Sequence, residues 1–174
     1  MVGLLAQSAG AQNKPNFSGT WKLDPAQSQM GGGMGGGGGG GGAGGAGGQR
    51  PGGGMGGGGG AAQEVTITMT ATTLTIVQTV MGEARTLTYN IGGAASKNPM
   101  GMGRMNAEMT STTAWEGNTL VTQGKATIST PNGDSEISSY EVRSLSADGK
   151  TMTVETTTTS PRGENTRKMV YVKS

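Results

Sequence analysis

The sequence contains neither cysteine nor histidine. Without cysteine there are no disulfides, no thiol nucleophile and no cysteine-ligated metal. Without histidine the usual general base and the commonest metal ligand are also missing, which rules out every catalytic triad built on histidine. We therefore expect a protein that is not an enzyme and that uses no metal and no cofactor.

Aromatic residues and net charge are also low. Aromatic residues make up 3% of the chain, whereas there are 12 methionines, so we expect a thin and adaptable core. The net charge is +2, and Arg167-Lys168 is the only adjacent basic pair. No basic stripe could follow a phosphate backbone, so nucleic acid is not an expected partner. No stretch has the apolar length of a transmembrane segment.

Eleven carboxylates are spread along the chain. The sequence places no two of them at a defined separation that would suit a general acid and a general base. We expect four glutamates of the strand-rich region to lie on solvated faces: Glu108, Glu136, Glu141 and Glu155.

The first residues resemble the end of a secretory signal. Val2 to Ala6 is apolar, and Ala9 and Ala11 fit a small-residue cleavage site that would leave Gln12 as the first mature residue. No Lys or Arg precedes the apolar part, which is short; the simplest account is a start codon assigned too late. We interpret residues 1–11 as a signal-peptide remnant and expect an exported protein, periplasmic or extracellular. The alternative is a disordered leader of small residues.

A glycine tract interrupts the chain near its beginning. Between Gly31 and Gly60, 23 of 30 residues are glycine. The only strand-like stretch ahead of it, residues 17–23, cannot satisfy its backbone or bury its tryptophan alone, so it must pair with strands beyond the tract. We therefore predict a single domain, residues 12–174. A low-complexity insertion at 30–62 would form a long disordered loop between the first and second strands.

After Ala62 the sequence becomes rich in threonine and β-branched residues that alternate with period two. This pattern and the turn residues between the runs predict nine strands in all, with Gly92 to Arg104 as a longer loop. We predict an all-β protein, an antiparallel up-and-down meander of about 8–9 strands. Such a meander closes into a barrel or folds into a sandwich, since both arrangements protect strand edges. Closure would pair the N-terminal strand with the C-terminal one.

The stretch Phe-Ser-Gly-Thr-Trp-Lys-Leu at 17–23 resembles the first strand of the lipocalin and fatty-acid-binding-protein superfamily. Residues 111–121 and 145–154 are similar to uncharacterised exported bacterial proteins with a lipocalin-like meander. The resemblance implies a lipocalin-like barrel in which Gly19 and Trp21 close one end. It also implies that an arginine of the last strand, here Arg167, covers the tryptophan; the alternative is that Arg167 faces solvent. Intracellular fatty-acid carriers hold a carboxylate with a final Arg-x-Tyr, but this chain has Met169-x-Tyr171, so that anion site is not expected.

Two functions are compatible with these patterns. The first is an exported, non-enzymatic barrel that binds a small, mainly apolar molecule. The second is a structural protein of the cell envelope or the extracellular space, in which the glycine tract mediates self-association and the barrel is solid. The barrel interior discriminates between them. For the first function the predicted ligand-lining residues are Met69, Ile76, Tyr89, Met109, Trp115 and Tyr171, with Trp115 alternatively part of the core.

Overall fold

The computed structural model describes residues 14–29, 61–80, 82–100, 107–130 and 133–174. Ten antiparallel strands account for most of these residues, and within them no helix is long and apolar enough to cross a membrane. The strands are β1 (Gly19–Leu23), β2 (Glu64–Met69), β3 (Thr73–Val80), β4 (Glu83–Asn90), β5 (Ser96–Met100), β6 (Ala107–Glu116), β7 (Thr119–Thr130), β8 (Gly133–Leu145), β9 (Thr151–Ser160) and β10 (Gly163–Lys173).

The strands form one sheet in the order β4-β3-β2-β1-β10-β9-β8-β7-β6-β5. The short strand β1 joins the beginning of this meander to its end, since Trp21 is paired with Val65 of β2 on one side and with Lys173 of β10 on the other. Both backbone edges of β1 are thereby used. The sheet curls into a nearly closed barrel, which confirms the predicted fold class and the predicted pairing of the first strand with the last.

Strand β5 lies inside the segment that was predicted to be a loop, so the strand count is ten. Two features explain why the alternation pattern did not predict this strand. Its inward positions are polar, with Ser96 and Asn98 each 5% exposed, and it contains Pro99. Proline lacks the amide donor of a ladder and is tolerated on an edge strand, which is where β5 lies.

The barrel is completed between β4 and β5 by side chains. The amide of Thr88 donates to Oδ1 of Asn98 at 2.8 Å, and Nδ2 of Asn98 donates to the Thr88 carbonyl at 2.9 Å. The amide of Asn90 donates to the Ser96 hydroxyl at 2.7 Å. We call this junction, Thr88–Asn90 facing Ala95–Asn98, the β4–β5 seam. Beyond it the chain is held to β6, because the amides of Gly92 and Gly93 both donate to the Thr113 carbonyl.

The apolar core is concentrated at one end of the barrel, which we call the closed end. The odd-numbered strands of an up-and-down meander all start at the same end, and the second residues of β3, β7 and β9 are Leu74, Leu120 and Met152, each at most 1% exposed. Phe17, directly before β1, is fully buried here and stacks on Trp115 with ring centroids 6.0 Å apart. The closed end is therefore filled with side chains.

Gln29 and Ala61 are the described residues that flank the glycine tract in sequence. Gln29 exchanges two backbone hydrogen bonds with Lys168 of β10, at 2.7 and 2.9 Å. The folded chain resumes at Ala61, and Ala62 is 4% exposed, so the last two residues of the predicted insertion belong to the barrel. Residues 30–60 and the predicted signal remnant at 1–11 are outside the described residues.

Candidate functional site

The barrel contains a cavity of about 260 Å³. This volume is close to the lower limit of about 300 Å³ that is usual for small-molecule sites. The interior is therefore partly empty, whereas the assembly hypothesis required a solid barrel. The walls come from β2, β3 and β4 on one side and from β8, β9 and β10 on the other, with the apolar residues Ala61, Ala62, Val65, Ile67, Ile76, Val80, Leu87, Met152, Val154 and Met169.

The polar part of the wall carries an excess of positive charge. Three arginines and one glutamate line the cavity, together with two tyrosines and one glutamine: Arg85, Arg143, Arg167, Glu141, Tyr89, Tyr171 and Gln78. Apolar surface and cationic groups thus face the same cavity, which is partly open to solvent. Within the described residues no group of acidic side chains is arranged to hold a metal ion.

Arg143 and Glu141 form a buried ion pair in the wall. They are two residues apart on β8 and therefore point to the same face of the strand. Nη2 of Arg143 lies 2.6 Å from Oε1 of Glu141, and their side chains are 6% and 19% exposed. The hydroxyl of Thr156, on the adjacent strand β9, donates to Oε2 of the same carboxylate at 3.2 Å. The Glu141 carboxylate therefore has one partner on each oxygen, Arg143 and Thr156, and it satisfies Nη2 of Arg143.

The other terminal nitrogen of Arg143, Nη1, is buried and has no hydrogen-bond partner among the described residues. The guanidinium carbon lies 5.6 Å from the centroid of the Tyr89 ring, so an aromatic face covers the cation. Leaving a buried charged donor unsatisfied costs more than about 1–3 kcal/mol. Nη1 of Arg143 is therefore an unused donor in the cavity wall.

The two tyrosines of the cavity are neutral hydroxyl groups at physiological pH. Burial raises the pKa of Tyr89, and the nearby Glu141 carboxylate raises it further against the opposing effect of Arg143. Burial also raises the pKa of Tyr171, in this case against the opposing effect of Arg143. The Tyr171 hydroxyl donates to the sulfur of Met169 at 3.6 Å. Both tyrosines can thus donate hydrogen bonds to a bound molecule.

Similarity to known proteins is found in the structure and not in the sequence. No family model matches the sequence, and no curated protein matches it significantly. Among solved structures, the chain is similar to a zebrafish ileal bile acid-binding protein in complex with cholic acid, at 18% identity. The alignment covers 64% of this chain and 72% of that protein, with a TM-score of 0.43. Cholic acid is a ligand of the zebrafish protein, and the cavity of this chain has to be judged by its own residues.

Three of the six predicted ligand-lining residues, Ile76, Tyr89 and Tyr171, lie in the cavity wall. Met69 and Trp115 are elsewhere, packed against the hydrophobic core. This is the alternative considered for Trp115. Met109 accepts a hydrogen bond from the Ser139 hydroxyl at 3.3 Å on the β6–β8 side of the barrel. Whether any of the six contacts a ligand stays a prediction.

The Gly-x-Trp element has a physical explanation at the junction of β1 and β10. Trp21 is fully buried, and its Nε1 donates to the Phe17 carbonyl at 2.9 Å. The cation over its ring is Lys173, whose Nζ lies 5.3 Å from the ring centroid. The Lys173 side chain crosses Gly19, where a Cβ would lie 2.7 Å from the lysine Cε and where φ is +140°. The backbone conformation therefore favours glycine, and a Cβ here would also displace the end of the Lys173 side chain.

Arg167 does not take the position over Trp21 that the resemblance implied, and it does not simply face solvent. It lies six residues before Lys173 on β10, about 20 Å away along the strand at ~3.3 Å per residue. It is paired with Thr156 and lines the cavity. The register of β1 with β10 selects Lys173 for the tryptophan.

Sequence reasoning missed the ion pair of the cavity. Glu108, Glu136 and Glu155 are exposed as predicted, each in a surface ion pair with a lysine. Glu141 is the exception, since it lines the cavity. The available signal was Glu141-Val142-Arg143, in which two opposite charges share one face of a strand while a valine occupies the other. The pattern does not reveal which face is inside.

Proposed function

We propose that this chain is an exported, non-enzymatic binding protein whose ligand is a small amphipathic molecule, mainly apolar and with one anionic group. The observation that carries the proposal is Arg143, buried in the wall of a cavity lined by both apolar and polar residues, with one nitrogen that has no partner among the described residues. An oxygen anion on the ligand would supply that partner.

The charge of the cavity supports an anion over a neutral or cationic head group. Glu141 already engages Nη2 of Arg143, and two further arginines, Arg85 and Arg167, line the same space. An anion entering this wall meets more positive than negative charge in a region of low dielectric, where the attraction is strongest. A cation would meet the opposite condition.

The apolar walls account for the rest of the ligand. Leu87, Ile76 and Val154 are among the ten apolar residues that line the cavity, and each Å² of apolar area removed from water contributes about 25 cal/mol. The cavity volume of about 260 Å³ sets a size limit near that of a short alkyl chain or a single small ring system.

A holding role is favoured over a catalytic one. The raised pKa values of Tyr89 and Tyr171 keep these groups protonated, so they can donate hydrogen bonds but are poor bases. Export is proposed from the leader, which ends in small residues at Ala9 and Ala11.

The test compares three ligands that share one chain and differ in charge: octanoate, octanol and octylammonium. Isothermal titration calorimetry should show that octanoate binds at least about tenfold more tightly than octanol, because a hydrogen bond to a charged group contributes about 1.5–3 kcal/mol. Octylammonium should bind most weakly. In Arg143→Met the difference between octanoate and octanol should become smaller, because the wall loses the hydrogen-bond donor but keeps Arg85 and Arg167.

The matched control is Arg162→Met, which removes an exposed arginine from the β9–β10 turn. It should keep the full preference for octanoate. Equal binding of all three ligands by the unmodified protein would contradict the anion site, and no binding of any of them would contradict the proposed function as a whole.

A further inference from the structure

The β4–β5 seam differs from every other strand junction of the sheet. β4 and β5 are the two ends of the strand order, whereas the nine neighbouring pairs are joined by backbone ladders. At the seam, the side chains of β5 replace a strand's peptide groups. The side-chain amide of Asn98 accepts a hydrogen bond from the backbone N–H of Thr88 and donates one to the Thr88 carbonyl. The Ser96 hydroxyl accepts a hydrogen bond from the backbone N–H of Asn90.

Such a junction can open at a smaller cost than a ladder. Four hydrogen bonds join Thr88 and Asn90 to residues 95–98, two of them from the single side chain of Asn98. Rotation of that side chain releases both groups of Thr88 to water without moving the β5 backbone. By comparison, β3 and β4 are paired over eight residues on each strand.

The seam borders the cavity directly. Leu87 and Tyr89, the neighbours of Thr88 in sequence, both line the cavity, and Tyr89 covers the guanidinium of Arg143. β4 is the last strand of the cavity wall on this side. A displacement of β4 at Thr88 would therefore move two wall residues and uncover Arg143.

One end of β4 is anchored, so it can serve as a hinge. The amides of Gly92 and Gly93 both donate to the Thr113 carbonyl, at 2.9 and 3.1 Å. Both glycines have positive φ angles, a conformation that glycine adopts without strain. β4 can thus move at Thr88 while the chain stays joined to β6 below it.

We propose that the ligand enters and leaves the barrel sideways through the β4–β5 seam, with Asn98 as the latch. This inference rests on the proposed function, since it presupposes a ligand in the cavity. It assigns to Asn98 a role in the rate of exchange, separate from the role of Arg143 in affinity.

The test measures the kinetics of octanoate binding and release in Asn98→Ala by NMR line-shape analysis. The association and dissociation rates should both rise by about tenfold or more, with the dissociation constant changed by less than about threefold. Ser96→Ala removes only one bond of the seam and should show a smaller rise in the same direction.

The control is Thr122→Val, which removes a buried hydroxyl hydrogen bond of 2.9 Å to Thr113 but leaves the β6–β7 ladder in place. This variant loses a buried hydrogen bond, as Asn98→Ala does, but it should leave the rates of ligand association and dissociation near those of the unmodified protein. Hydrogen exchange gives a readout that needs no ligand. The amides of Thr88 and Asn90 should exchange faster than those within the β7–β8 ladder, and faster still in Asn98→Ala.

The outcomes separate the two proposals. If the unmodified protein does not bind octanoate, the proposed function fails, and the entry route fails with it. If binding is normal but Asn98→Ala and Ser96→Ala leave both rates unchanged, only the entry route is overturned. An equal rise in Thr122→Val would also overturn it, because general loosening of the barrel would then explain the effect.

Discussion

Replacing both members of the buried ion pair, in Arg143→Met/Glu141→Leu, should leave the protein folded and weaken its selectivity for anions, since Arg85 and Arg167 still line the cavity. The two side chains stabilise each other in the wall at a distance of 2.6 Å, but each was first taken out of water. For buried pairs the desolvation penalty often equals or exceeds the attraction, so apolar residues of similar volume are neutral or stabilising by about 1–4 kcal/mol.

The single variants should behave differently from the double one. Glu141→Leu leaves the guanidinium of Arg143, 6% exposed, without its carboxylate, and should cost about 3–5 kcal/mol of unfolding free energy. Arg143→Met leaves Glu141, 19% exposed, with the Thr156 hydroxyl as a remaining partner. Its cost should be smaller, about 1–3 kcal/mol, because water reaches part of the carboxylate.

The assay is urea unfolding followed by the fluorescence of Trp21 and Trp115, with the free energy taken by linear extrapolation. The double variant should lose far less unfolding free energy than the sum of the two single losses. Calorimetry with octanoate and octanol on the same double variant should give a smaller preference for octanoate than in the unmodified protein. Additive losses would refute the claim that the two charges act as a pair, and an unchanged preference for octanoate would refute the role of Arg143.

Three further predictions concern the fold and its pH dependence. Trp21→Ala should cost about 3–5 kcal/mol in chemical unfolding, since the ring is fully buried at the closed end; a cost below about 1 kcal/mol would contradict its closing role. Replacing Gly31–Gly60 by a short linker should preserve a cooperative thermal transition, and its loss would show that the tract is needed for folding. Because the pKa of Tyr89 is raised in the folded protein, its contribution to the free energy of unfolding should be fully present below pH ~10. That contribution should be lost as the pH rises through the higher folded-state pKa. Tyr89→Phe should flatten this alkaline decrease in the midpoint temperature relative to the unmodified protein.

The class of fold could be predicted because it depends on local patterns. Alternation with period two marks β strands wherever one face is apolar, as at Val65 and Ile67. Turn residues then separate the strands, and a single strand ahead of the glycine tract had to pair with strands beyond it. β5 escaped this reasoning because its buried positions, Ser96 and Asn98, are polar.

The site was less predictable because it depends on which residues of distant strands come together. Ile76, Tyr89 and Tyr171 were expected inside and line the cavity, whereas Met69 and Trp115 share their alternation but pack at the core. Periodicity assigns a residue to a face of its strand. It does not say at what height along the barrel the interior is filled and where it is empty.

By itself, the sequence determined an all-β meander without disulfides, metal-ligating histidine or a helical membrane span, and with its first strand joined to its last. The tertiary structure alone decided that Lys173 covers Trp21, that Arg167 reaches the cavity, and that Glu141 and Arg143 face inward. The reason is register: a shift of one residue between strands turns every side chain to the other face. That register follows from the packing of the whole barrel, and so does the cavity that its charges surround.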